Sequence, residues 1–220
     1  MEKIVIFGTG DFAEFVYYYF STSDKYNVVG FTVDRVFAST ETFLGLPLIP
    51  FDEVEHTFPT DECCIFIAIG YTKVNEVRRK KFLDAKAKGY KFASYISDSA
   101  IIASNAQLGD NSFILEGVII QPFVKIGDAV ILWSGCHIGH HSIIADFCFL
   151  APCASLSGYV TLKERSFIGN NAVIRDRINI GKECVIGAGV VILEDVGERS
   201  VFKSLINNPL GISSNQLRGI

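Results

Sequence analysis

The chain has 220 residues, 49% of them hydrophobic and 20% charged, and a formal net charge of −4. This length suits two modest domains, and the composition is that of a folded protein, not a disordered one. The negative charge, with one short basic run at residues 78–81, argues against nucleic acid as a partner; no stretch reaches 18 uncharged apolar residues, so no membrane span is expected.

The opening apolar run, at residues 3–8, is too short for a signal peptide, and a cytoplasmic protein is expected. That run ends in Gly8-Thr9-Gly10-Asp11-Phe12-Ala13 and leads into a helical pattern, giving strand, glycine turn and helix. Further strands are predicted at 27–33, ending at Asp34, at 63–69, ending at Gly70-Tyr71, and at 91–96, with a charged helix at about 74–88. The alternation indicates a small parallel α/β domain, Rossmann-like, over residues 1–98. A ligand of such a domain lies beyond the carboxyl ends of its strands.

After residue 100 the pattern becomes a six-residue repeat. Every sixth residue from Ile102 to Ile192 is Ile or Leu, sixteen in succession, and the residue four beyond each is small or β-branched, from Ala106 to Val196. This period is too short for a helical repeat and too regular for a sandwich, but it suits a short strand plus a corner, coiled into a parallel β-helix. The small residue and the following Ile or Leu point inward, and three repeats make one triangular coil, so residues 18 apart stack. Cys136, Cys148 and Cys184 fall on the inward small position, and all six cysteines are read as free thiols in a reducing compartment.

The hexad [Ile/Leu/Val]-Gly-x-x-small-x resembles that of the left-handed β-helix acyltransferases, and the handedness comes from this resemblance. With the N-terminal glycine turn, the whole chain resembles their two-domain branch of sugar O- and N-acyltransferases, of the sialic acid O-acetyltransferase and bacillosamine N-acetyltransferase type. The resemblance implies an α/β nucleotide-sugar-binding domain (1–98), a left-handed β-helix of hexapeptide repeats (99–197) and a C-terminal tail (198–220). It also implies acyl-CoA as co-substrate, no permanently bound cofactor, and a homotrimer.

The catalytic segment of that branch corresponds here to Ile138-Gly139-His140-His141-Ser142-Ile143-Ile144-Ala145-Asp146-Phe147-Cys148-Phe149. His140 aligns with the catalytic base. The acidic residue that often follows is His141, expected to orient or tune His140, and a later His associated with acyl-CoA is Phe149. The implied acyl-CoA positions are Phe149, Gly158, Asn170 and Ala188. Gly8, Thr9, Gly10, Asp11, Asp34, Arg35 and Gly70 are implied to hold the nucleotide of a nucleotide sugar, with Asp34 or Arg35 at its base or ribose.

Acyl transfer from a thioester requires a nucleophile that loses a proton as it attacks, and donors for the oxyanion. By register His140 points out of a corner between Pro122 and Gly158. Cys136, His137, His140 and His141 point in different directions, which argues against a metal site; core cysteines and the lack of a G-x-S-x-G turn argue against a covalent nucleophile. The expected reaction is direct transfer to the amine of a nucleotide-linked deoxy-aminosugar for surface glycan synthesis. The alternatives are sugar O-acetylation, a non-catalytic β-helix scaffold, and a gamma-class carbonic anhydrase.

The outward residues fall in three columns. One of them, Phe113, Ile131, Phe149, Phe167 and Val185, is wholly apolar. It is expected to be buried against neighbouring subunits, with cover by the C-terminal residues Leu205, Ile206, Leu210 and Ile212 as the alternative.

Overall fold

The computed structural model describes residues 1–204, so the C-terminal segment invoked above as a cover lies outside the described residues. The N-terminal domain is a five-stranded sheet of β1 (Glu2–Phe7), β2 (Tyr26–Val33), β3 (Thr42–Phe43), β4 (Leu46–Pro50) and β5 (Cys63–Ile67), in the order β3-β4-β2-β1-β5. All neighbours run parallel except β3 and β4, which form a hairpin. Helix α1 (Asp11–Ser21) buries Ala13, Val16 and Phe20, an i, i+3, i+7 stripe that seats it on the sheet. After the short α2 (Val54–Thr57), helix α3 (Glu76–Ala87) buries Arg78, Phe82 and Ala85 in the same way.

The strand expected at 91–96 is not a fourth strand of this sheet. Phe92 makes a single parallel bridge to Ile65, after which Tyr95–Ile96 pairs with Phe113–Ile114 and opens the β-helix. The β-helix therefore starts within the segment assigned by sequence to the first domain. The β3–β4 hairpin gives no strand pattern in the sequence because β3 has only two residues and β4 carries two prolines.

From Tyr95 onward the chain winds as a left-handed β-helix with three parallel sheets of two-residue strands. One is built on Phe113, Ile131, Phe149, Phe167 and Val185, one on Ile119, His137, Ser155 and Val173, and one on Lys125, Ile143, Thr161 and Asn179. Stacked partners are 18 residues apart, as for His137 with Ser155 and Ile143 with Thr161. The interior is filled by the Ile/Leu and small-residue ladders, including Cys136, Cys148 and Cys184. At every sixth position from Asn111 to Gly189 the backbone is left-handed, with φ between 52° and 73°, and this residue turns each corner.

The apolar column is covered within the chain over Phe113, Ile131 and Phe149, while Phe167 and Val185 at its far end are half-buried. The N-terminal domain of the same chain covers it: Phe113 and Ile131 are fully buried, Phe149 is 4% exposed, and they share one core with Ile4, Ile6, Val16 and Phe20. Phe12, Phe15 and Tyr19 of α1 bring their rings against Phe113 at 5.9, 6.2 and 5.7 Å. Burial was correctly expected of this face; the partner is intramolecular, because an α/β domain preceding a solenoid needs a surface on which to bury the outer side of α1.

Arg78 fastens this contact. It is fully buried, and its guanidinium donates to the carbonyls of Ile69 and Gly70 in its own domain and of Ala129, Phe147 and Cys148 in the β-helix, at 2.7–3.2 Å. Burial pulls its pKa down to about 9, which leaves it charged at neutral pH. Asn111 accepts from the Ile67 N–H at 2.7 Å, and Asn75 donates to the Arg165 carbonyl at 3.0 Å across the same boundary. Arg78→Met strands several buried carbonyls at about 1–3 kcal/mol each. It is expected to lower the free energy of unfolding by about 3 kcal/mol or more, as measured by denaturant titration; a change below about 1 kcal/mol would show the contact to be incidental.

Candidate active site

Two regions collect most of the residues singled out by sequence. The first lies at the carboxyl ends of β1, β2 and β5, where a cavity of about 330 Å³ is lined by Gly8, Thr9, Gly10, Asp34, Phe37, Gly70 and Lys81 among others. Gly8 is required for packing: it has φ of +132°, and a Cβ there would meet the Ala68 carbonyl oxygen at 2.9 Å. Gly10 and Gly70 instead border open space, with nothing within 4 Å of the position of a Cβ, so they leave room for a ligand. α1 begins directly after Gly10, and its first N–H groups face this end of the sheet.

Asp34 lies in this cavity and accepts from Lys81 at 2.5 Å. Lys81 is 13% exposed and sits 5.5 Å from the ring centres of both Phe7 and Phe51. Sequence reading took Lys81 only as part of a basic run; its position one helical turn after Arg78 was the available signal. Arg35 does not line the cavity. It is held outside by Asp52 at 2.7 Å and Glu53 at 2.5 Å, so of the two residues expected at the base or ribose only Asp34 lines it. Asp11 lies in an adjoining cavity of about 310 Å³, with Phe12, Phe15, Gly70, Tyr71, Trp133 and Phe149.

The second region is the corner between the sheets carrying His137 and Ile143. The imidazole of His140 is exposed and stands over Gly158, where a Cβ would come within 2.8 Å of its Cε1 and Nε2 atoms. Its backbone N–H donates to Gln121 Oε1 at 2.9 Å, and its Nδ1 lies 3.1 Å from His141 Nδ1. His141 occupies the left-handed corner position, φ 60°, and stacks between Phe123 and Tyr159 at 4.6 and 4.7 Å. Arg177 continues the column, 4.4 Å over the Tyr159 ring. The Gly158 N–H has no acceptor among the described residues and adjoins the His140 ring.

Within one chain these regions are not brought together. His140 is at the corner opposite the face that carries the N-terminal domain, whereas Phe149 lies on that covered face. Asn170 and Ala188 are exposed at a third position, the corner between the Phe167 and Val173 strands. The four acyl-CoA positions inferred from the resemblance, Phe149, Gly158, Asn170 and Ala188, thus fall on three sides of one β-helix. Among the described residues no cluster of three His, Cys, Asp or Glu side chains could hold a metal ion. Burial pushes the Cys136 and Cys148 thiols up to about 12, so neither is a nucleophile at neutral pH. No helix among the described residues is long and apolar enough to cross a membrane.

Comparison with known proteins agrees with this architecture. Residues 3–85 match the model of the PglD N-terminal domain, and residues 159–194 match that of the bacterial transferase hexapeptide, six repeats. No curated protein matches the sequence. Among solved structures, the acetyltransferase domain of PglB from Neisseria gonorrhoeae is similar at 25% identity, TM-score 0.83, over 93% of this chain and 97% of that one. A histidine-to-asparagine mutant of perosamine N-acetyltransferase from Caulobacter crescentus, in complex with CoA and GDP-perosamine, is similar at 25% identity, TM-score 0.83, over 93% of this chain and 94% of that one. WeeI from Acinetobacter baumannii shares the fold at 22% identity and TM-score 0.73, over 91% of this chain and 96% of that one.

A PglD-type α/β domain followed by a hexapeptide β-helix defines a two-domain hexapeptide-repeat protein, and the chain is an enzyme of the acyltransferase class. Within that class it resembles the sugar N-acetyltransferases.

Gly158→Val tests the corner. Its φ is not left-handed, so the backbone accepts a side chain, but the new atoms must displace the His140 ring. Thermal unfolding is expected to move little while turnover drops about 10²-fold, the effect of an ångström-scale misplacement; full activity would show that the ring position does not matter.

Proposed function

We propose that the protein transfers an acyl group from acyl-CoA to the amine of a nucleotide-linked deoxy-aminosugar, in the cytoplasm, for surface glycan synthesis. The observation that carries this reading is the combination, in one chain, of a glycine-turn cavity suited to a nucleotide and an exposed histidine seated over a glycine on a hexapeptide β-helix. The complex of CoA and GDP-perosamine in a structural relative supports the same pair of substrates.

In the proposed reaction the nucleotide lies along Gly8, Thr9, Gly10, Asp34 and Gly70, with the diphosphate toward the start of α1 and Asp34 toward the ribose or base. Lys81 adds a positive charge on the same wall. The sugar extends toward Asp11 and the aromatic cavity of Tyr71, Trp133 and Phe149. His140 Nε2 takes a proton from the sugar amine as its nitrogen forms a bond to the thioester carbonyl carbon. The Gly158 N–H stabilises the oxyanion, the C–S bond breaks, and the imidazolium returns the proton to the departing CoA sulfur. The products are the amide and free CoA, without an acyl-enzyme intermediate.

Because His140 lies on the far side of the β-helix from its own nucleotide cavity, the base acts on a sugar held by another chain, which supports a homotrimer. CoA then lies between chains, where Gly158 of one and Asn170 and Ala188 of another can share it, while Phe149, covered by its own N-terminal domain, is not within its reach.

A panel of nucleotide aminosugars with acetyl-CoA and longer acyl-CoAs, followed by mass spectrometry, tests the reaction. One sugar should gain one acyl group on nitrogen, and His140→Asn should lower turnover by about 10²–10⁴-fold without unfolding the protein. Undiminished turnover in His140→Asn would refute the mechanism. Gly10→Val should weaken the nucleotide sugar far more than acyl-CoA, because its side chain would enter the first cavity only; equal losses would refute the assignment of that cavity.

A further inference from the structure

The two imidazoles at the active corner meet through nitrogens of the same kind, Nδ1 to Nδ1 at 3.1 Å. A neutral imidazole carries a single N–H, so in this hydrogen bond one ring donates and the other accepts. The direction decides the state of the remote nitrogens. The donor ring keeps a bare Nε2, and the acceptor ring carries its proton on Nε2. Only a ring with a bare Nε2 can take a proton there.

The surroundings of the two rings are unequal. His141 is sandwiched between the faces of Phe123 and Tyr159, with the ring planes 29° and 12° from parallel, whereas His140 meets Tyr159 only edge-on, at 87°. Aromatic faces favour positive charge. His141 therefore gains more from the partial charge that an acceptor acquires. Arg177 lies over the Tyr159 ring, 4.4 Å from its centre.

We propose that His141 is a positioning residue that accepts the Nδ1–H of His140 and so holds the base in the tautomer with a bare Nε2. This rests on the reading of His140 as general base. When His140 takes the amine proton on Nε2, its Nδ1–H remains bonded to His141, which polarises toward the new imidazolium and withdraws as the proton passes to the CoA sulfur. The Nδ1 proton stays on His140 throughout, the Nε2 proton passes from the amine to the sulfur, and the pair ends the turnover as it began, with His141 as a neutral acceptor.

His141→Phe isolates this role. Phenylalanine already occupies the same left-handed corner position at Phe123 and Phe147, with φ of 65° and 61°, so the backbone and the stack accept it while the nitrogen is lost. Long-range ¹H–¹⁵N NMR of the imidazoles reads the tautomer directly, without substrate. The expected result is an Nδ1–H tautomer for His140 in the unmodified protein and a shift toward Nε2–H in His141→Phe. Alongside it, kcat should fall roughly 10- to 100-fold with KM for the nucleotide sugar nearly unchanged. His141→Asp, which restores an acceptor, should recover both the tautomer and most of the turnover. An Nε2–H tautomer of His140 in the unmodified protein, an unaltered tautomer in His141→Phe, or a shifted tautomer with unaltered kcat would each overturn the proposal. Full activity in His140→Asn would instead remove the base itself and leave the tautomer measurement standing.

Discussion

Parallel hydrogen bonding between coils at a spacing of 18 residues is the constraint on which the rest of this molecule depends. It stacks His137 on Ser155 and Ile143 on Thr161, and through them it stacks the corners between. A corner side chain has no freedom to choose its neighbours: His140 has Gly158 over it and His141 has Phe123 and Tyr159 on its two faces because those residues are one coil away. Preorganisation of an active residue normally needs a shell of tertiary contacts. Here the register supplies it from sequence position alone.

The same rigidity governs how the two domains join. A solenoid face is flat and cannot adapt to a partner, so the N-terminal domain brings the adaptable elements: the rings of Phe12, Phe15 and Tyr19, and the long side chain of Arg78. Of the β-helix carbonyls that Arg78 binds, those of Ala129 and Phe147 belong to left-handed corner residues and take no part in the coil-to-coil ladder, whereas that of Cys148 also accepts the Ile131 N–H of the neighbouring coil. A buried cation without a carboxylate is costly to desolvate, and the carbonyls offset that cost only if all stay in place. The contact is thus specific to one orientation of the domain on the β-helix.

The fold was legible in the sequence to the extent that it is periodic. The hexad ladder from Ile102 to Ile192 gave the β-helix, its register and the outward direction of His140, because each inference depends on spacing. The glycine turn gave the first cavity. What could not be read were contacts between segments with no common period. The apolar column was recognised as buried, yet nothing in a repeat names its partner; Arg35 looked as good as Asp34 until Asp52 and Glu53 were seen to hold it outside; Lys81 and Arg78 looked like a solvated basic run. The departures at His141 and Phe149 were visible as letters, but only the stacked corner and the covered face give them physical surroundings.

The placement of the N-terminal domain also accounts for the separation of His140 from the glycine-turn cavity within a chain. The domain shares its core with the apolar face, and α1, which seats it there, is the helix whose start borders the glycine-turn cavity. The cavity is therefore tied to that face. The corner bearing His140 lies opposite, where no domain covers it and a long co-substrate can lie along the coils. On the proposed reaction, a single chain holds both halves of the chemistry facing in different directions, and only association turns the base of one toward the sugar of another. Residues on the exposed sheets beside His140, such as Ile119, Ile143 and Val173, which are 36–45% exposed, are then the natural contacts between chains, since a solenoid joins flat face to flat face and these faces carry its remaining outward apolar side chains.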